Sequence, residues 1–289
     1  MPLWLTLALT ASIVVGVNNL LLKVIALKKI DPTGFLFIQG IIFMLGWSLW
    51  IILVWWYNIF PLKTIIVSFC MTLAAFMNVK TTLFSLRYLS ASEFFIGYRI
   101  GVTTSLIVIG LLIFHEIITA SQYLGMGIGM IALLFLFEKQ SWERHWKVWL
   151  NGILLLIISA IMAVIVQSIT KIIIVENIPL FLFFFWEGIF YMIFSLLFDP
   201  SKIRTIGNIF QDLRSSFLLL VSTGIFNFLW ALTITQSFQY GWNISVVTKI
   251  VSYSLFIPII FSHFVYKEPV TPKKWIAFSL TLLSIWYLI

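Results

Sequence analysis

The sequence predicts an all-α polytopic membrane protein with ten transmembrane helices in two inverted five-helix repeats. Three observations carry this fold class. Hydrophobic residues make up 62% of the 289, charged residues only 10%, and the mean hydropathy is +1.09. A soluble domain carries about 25% charged residues to cover its surface, so a water-soluble globule and a disordered chain are both excluded. The apolar runs have the length of about 20 residues that a hydrocarbon core of about 30 Å demands. Finally, the chain repeats itself at a nearly constant offset.

Ten apolar segments fall near residues 4–27, 33–56, 64–86, 91–113, 119–137, 148–174, 180–198, 214–236, 243–265 and 271–288. In lipid the backbone must satisfy its own hydrogen bonds, which makes these runs helices. The first opens directly on apolar residues, without a basic stretch or a polar segment after it, and reads as a spanning helix and not a cleaved leader. Lys28-Lys29-Ile30-Asp31-Pro32 is a charged turn closed by proline; Asn58 to Pro61 ends the second segment and Asp199-Pro200 the seventh. The longest connections are Glu138–Lys147 and Asp199–Leu213. Most others are a few residues long, so consecutive helices are antiparallel neighbours.

The repeat divides the chain into residues 1–140 and 141–289. Residues 86–137 slide by 152 positions onto 238–289 without a gap, bringing Tyr88 onto Tyr240, Glu116 onto Glu268 and Thr119 onto Thr271. An offset of 148 brings Asn19 onto Gln167, Lys23 onto Lys171 and Gln39-Gly40 onto Glu187-Gly188. Five helices per unit is an odd number, so the second unit enters the membrane inverted. That plan is typical of secondary transporters.

On Asn19 to Lys23, Asp31-Pro32 and the twice-occurring Glu-x-x-Thr turns at Glu116 and Glu268, the sequence resembles the ten-helix EamA-type branch of the drug/metabolite transporter superfamily. The resemblance extends over essentially the whole chain. It implies export or exchange of small metabolites, a central cavity walled by helices 1, 3, 4, 6, 8 and 9, and helices 5 and 10 as scaffold or as contacts for a homodimer. It also implies that the protein is no enzyme and works without a cofactor.

The residues exclude other chemistries. There is no nucleotide-binding P-loop. Cys70 is the single cysteine, so neither a disulfide nor a thiolate metal site is available. His115-Glu116 begins like a zinc-protease helix, but Thr119 stands where the second ligand belongs. All three aspartates (Asp31, Asp199, Asp212) lie in connections. Gly97 to Gly101 and Gly125 to Gly129 carry Gly-x-x-x-Gly spacing and read as close helix packing. A net charge of +8 reflects lysine and arginine sorted to one membrane face and not a nucleic-acid partner.

The candidate site consists of ions and amides inside the segments, where an ionisable side chain costs at least about 2.5 kcal/mol on insertion scales. Five basic residues lie there: Lys23, Lys80, Arg99, Lys171 and Lys249. Arg99 sits about 12 Å along its helix, near mid-membrane. Asn19 with Lys23, and Gln167 with Lys171, share helix faces at i, i+4. Asn78 with Thr82 on helix 3 and Lys249 with Tyr253 on helix 9 do likewise, and Tyr98 and Trp230 lie deep enough to touch cargo. The two acids, Glu187 and Glu93, are the candidates for proton coupling. With cations outnumbering acids, the expected cargo is a small polar metabolite carrying an anionic group, such as an amino acid or organic acid. The alternative is a lipid-linked or sugar-phosphate substrate.

Orientation follows from charge. The connections 1–2, 3–4, 5–6, 7–8 and 9–10 hold twelve lysines and arginines, while the opposite face holds only Lys63. The positive-inside rule makes the loaded face cytoplasmic and puts both termini outside. The family resemblance implies termini inside. The equivalent connections 4–5 and 9–10 have diverged so that only 9–10 holds lysines, which favours the charge count. The expected location is the inner cell membrane, with the bilayer itself as the surrounding partner.

Overall fold

The computed structural model describes residues 3–28, 30–54, 62–89, 91–135, 146–198, 216–240, 243–257 and 272–288. Among them are ten α-helices and no strand. These are α1 Leu3–Leu27, α2 Pro32–Val54, α3 Leu62–Tyr88, α4 Ala91–Leu112, α5 Ala120–Phe135, α6 Trp146–Val175, α7 Leu180–Phe198, α8 Phe217–Gln239, α9 Ile244–Ser252 and α10 Pro272–Leu288. A 3₁₀ turn at Tyr253–Leu255 follows α9. Six of the helices (α1, α3, α4, α6, α7 and α8) are long and apolar enough to cross a bilayer among the described residues. The protein is a multi-pass integral membrane protein.

The predicted segments and the helices agree to within a few residues, except for the ninth. There α9 stops at Ser252, and the rest of the predicted run, from residue 258 on, lies outside the described residues. Exits from the helices follow local chemistry. After α6, Asn177 takes a left-handed φ of 50°. Its N–H reaches Ile174 O at 3.1 Å, and Ile178 N reaches Ile173 O at 2.9 Å. That paired closure satisfies carbonyls left open by the helix end, and asparagine is one of the few residues that tolerate the conformation. Pro179 then blocks continuation.

Helix contacts come in corresponding pairs when each helix of the first half is matched to the helix five later. The α1–α8 contact answers α3–α6, α1–α9 answers α4–α6, and α2–α8 answers α3–α7. The remaining principal contacts join a helix to its own counterpart: α2–α7, α4–α9 and α5–α10. At the α2–α7 crossing Gly40 and Gly188 lie back to back, and a Cβ on either would stand 2.7 Å from the other's carbonyl oxygen. Gly125 faces the Ser284 carbonyl of α10, and Gly97 and Gly101 face Leu156 and Ala160 of α6. Small residues let these backbones close where lipid supplies no hydrophobic drive. Thus α5 and α10 pack against each other within one chain. Large apolar side chains such as Trp286, at 80% exposure, and Leu218, at 73%, cover the outer surface, where lipid and not water is the neighbour.

Connections meet across the molecule as an alternating bundle requires. Arg87 donates to Ile30 O at 3.2 Å, joining connections 1–2 and 3–4 at one face. At the other face Lys63 and Glu176 pair at 2.5 Å, joining 2–3 to 6–7.

Candidate functional site

A cavity of about 90 Å³ lies between α1, α3 and α4 of the first half and α6 and α8 of the second. Its walls come from the second half of α1, the second half of α3 and the first half of α4. It lies near mid-membrane, since Ala163, Val166 and Gln167 are in the second half of α6 and Asn227 and Trp230 in the middle of α8. Six of the predicted site residues meet here: Asn19, Asn78, Tyr98, Arg99, Gln167 and Trp230.

Arg99 is the charged member. It is 5% exposed, and no ion pair or hydrogen bond to it is found among the described residues. Its guanidinium carbon lies 5.7 Å from the Tyr98 ring centroid, within cation–π range. The tyrosine is held in turn by a polar chain. Asn78 Nδ2 reaches the Tyr98 hydroxyl at 3.4 Å, Ser159 Oγ donates to Asn78 Oδ1 at 2.7 Å, and Ser159 and Thr82 share a 2.7 Å hydroxyl contact. This chain runs from α6 through α3 to α4, so the second half of the protein fixes the arginine of the first.

A second chain crosses the other wall. Asn18 Nδ2 donates to Asn227 Oδ1 at 2.5 Å, and Asn227 Nδ2 donates to Gln39 Oε1 at 3.0 Å, linking α1, α8 and α2. Gln167 Oε1 accepts from Thr248 Oγ1 of α9 at 3.0 Å. Asn18, Asn227, Gln39 and Ser159 escaped the sequence reading as site residues. The signal was present, because an uncharged amide inside an apolar run needs a partner nearly as much as an ion does.

The other predicted residues go elsewhere. Lys249 is fully buried but points away from the cavity. Its Cε, with the Tyr253 hydroxyl and Ser284 Oγ, crowds Gly129 between α9, α5 and α10. Tyr253 hydrogen-bonds Ser284 there. α9 supplies no lining residue, because its inner positions, Val246, Val247 and Ile250, are packed in the core. Lys80 lies 5.8 Å from the ring centroids of Phe76 and Phe198, against α7. Lys171 comes to 4.0 Å from Glu116, and Lys23 is half-buried off the cavity. Glu187 is 3% exposed on α7 beside the Gly40–Gly188 crossing. It accepts a hydrogen bond from Tyr191, while its Oε2 has no partner among the described residues. Glu93 falls in the first turn of α4, and its side chain lies outside the described residues.

A smaller apolar pocket adjoins the cavity on the other side of Gln167 and Trp230, which line both. It is bounded by Met71, Phe184 and Phe238 among others. Gln167 and Trp230 thus form a partition between a polar space toward one face and an apolar space toward the other. By the repeat offset of 148, Gln167 is the counterpart of Asn19, also in the wall.

Residues 150–289 match the family model described as the EamA-like transporter family. The match falls on the second half of the chain. No curated protein matches. Among solved structures, one titled "Crystal structure of protein" superposes with a TM-score of 0.65 at 12% identity, covering 96% of each chain. That likeness is one of fold.

Proposed function

We propose that this chain is a secondary transporter of a small polar metabolite bearing an anionic group, an amino acid or organic acid, and that two inverted five-helix halves give the cavity alternating access. The observation that carries this reading is Arg99, a buried guanidinium with no described protein counter-ion, set in a polar cavity whose walls come from both halves. A buried cation without a partner in the membrane marks a pathway or a ligand site. The paired helix contacts support the inverted plan. So does the partition of Gln167 and Trp230, which has a space on each side of it. Moving the halves about the Gly40–Gly188 crossing would exchange which side is open. The similarity of the second half to EamA-like transporters supports transport over catalysis. Purified protein in proteoliposomes should take up members of a metabolite panel. A panel of amino acids, organic acids and sugar phosphates with no uptake above protein-free vesicles would end the reading.

A further inference from the structure

We infer that the cavity is built for a monovalent organic anion that lacks an ammonium group: a carboxylate on an apolar or aromatic body, and not a zwitterionic amino acid or a phosphate ester. This rests on the transporter reading and narrows its cargo.

The inference starts from an inventory of the wall. Three buried N–H donors in the wall have no hydrogen-bond partner among the described residues: Arg99 Nε, Asn19 Nδ2 and Trp230 Nε1. All three belong to residues that line the same cavity, and Arg99 and Asn19 are 5% and 7% exposed. The amide oxygens are mostly spoken for. Asn78 Oδ1 accepts from Ser159, Asn227 Oδ1 from Asn18 and Gln167 Oε1 from Thr248. Asn18 Oδ1 is buried without a donor, and no described hydrogen bond reaches Asn19 Oδ1. Unmatched donors call for an acceptor-rich ligand, and a carboxylate offers two oxygens with about four lone-pair sites.

An α-ammonium group would bring three donors and a positive charge beside the guanidinium. No carboxylate lines the cavity among the described residues, and the two amide oxygens without a described donor cannot satisfy three N–H groups. Charge count separates carboxylate from phosphate. Arg99 is the single cation in the described wall, which balances one negative charge, whereas a phosphate monoester carries about −1.5 to −2 near neutrality. The rest of the lining, with Phe94, Phe95, Tyr98 and Trp230, offers rings to an apolar body.

The test uses matched ligands and the full-length purified chain in detergent at pH 8, read by thermal unfolding. The ligands are 3-phenylpropionate, phenylalanine, phenethylamine and phenyl phosphate. The expected result is that 3-phenylpropionate raises the unfolding midpoint at a concentration at least tenfold below that needed by the other three. Arg99→Gln should lose that shift and Arg99→Lys should keep part of it. Both variants must elute as the wild type does on gel filtration. Equal or greater stabilisation by phenylalanine or phenyl phosphate overturns the inference. So does no stabilisation by 3-phenylpropionate, or a shift unchanged in Arg99→Gln. Uptake of an amino acid by proteoliposomes would likewise overturn it while leaving the transporter reading in place, so the two fail separately.

Discussion

A buried arginine is worth keeping in hydrocarbon only if something meets it. Arg99 lies within cation–π range of Tyr98, whose hydroxyl is met by Asn78 and through it by Ser159, so the ring beside it is held before cargo arrives. Arg99→Ala should therefore cut uptake in proteoliposomes by ~30-fold or more, the equivalent of about 2 kcal/mol or above for losing one side of a buried charge pair, with normal yield of folded protein. Unchanged uptake kinetics would remove Arg99 from the site. Glu187 is a different case. It does not line the cavity but sits where the two halves cross, with one carboxylate oxygen bound by Tyr191 and the other unpartnered. If it carries a coupled proton, Glu187→Gln should still exchange labelled cargo yet fail to accumulate it under an imposed pH gradient. Accumulation at the wild-type level would take that role away from Glu187. Arg99 was legible in the sequence because its depth alone makes it costly. The Asn18–Asn227–Gln39 chain was not, because its partners are 188 and 209 positions apart. The destination of Lys249 was also hidden, since helical spacing gives a face but not which neighbour that face meets.

At the scale of elements, two features join the halves. Glu116 follows a left-handed His115, φ 49°, and turns its carboxylate onto the first turn of α9. One oxygen accepts from Ile244 N at 2.5 Å, the other from Ser245 N at 3.3 Å and Ser245 Oγ at 2.8 Å. A carboxylate there pairs N–H groups that a helix start leaves open and meets the positive end of its dipole. The sequence marked Glu116 as one of a repeated pair without showing this use, because the cap and the capped helix lie 128 positions apart. Glu116→Ala should lower stability by about 0.5–2 kcal/mol, the usual loss on removing a cap, seen as an earlier thermal unfolding midpoint. A midpoint equal to wild type would mean that water replaces the carboxylate at no loss. The glycines make a sharper pair. A Cβ on Gly188 would stand 2.6 Å from Met44 N and 2.7 Å from Gly40 O, both backbone atoms with little room to yield, whereas one on Gly127 would meet nothing within 4 Å. Gly188→Ala should destabilise by about 1–3 kcal/mol through overpacking, and Gly127→Ala should be neutral or slightly stabilising through better helix propensity. Parallel thermal unfolding of the two variants checks this, and equal midpoints would contradict the close crossing.

At the scale of the whole molecule, the helices were legible because the bilayer leaves a spanning backbone one way to close its hydrogen bonds. The remaining question is which way up they stand. The described contacts group the connections into two faces. Arg87 joins the 3–4 connection to 1–2, and Glu116 with Asn243 joins 4–5 to 8–9, where Asn243 Nδ2 donates to Ile117 O at 2.9 Å. By sequence, twelve lysines and arginines belong to the connections 1–2, 3–4, 5–6, 7–8 and 9–10 and one, Lys63, to the others, and Lys63 is paired with Glu176. Basic residues resist translocation during insertion, so the charge count predicts that the loaded face stays in the cytoplasm. A reporter active only in the cytoplasm and fused after Ile289 should stay dark, while one active only outside should signal. Moving the charge should move the topology: replacing Lys267, Lys273 and Lys274 with glutamine while adding three lysines to the 4–5 connection should produce a mixture of orientations. A cytoplasmic signal from the unmodified chain would show that something other than loop charge sets the orientation.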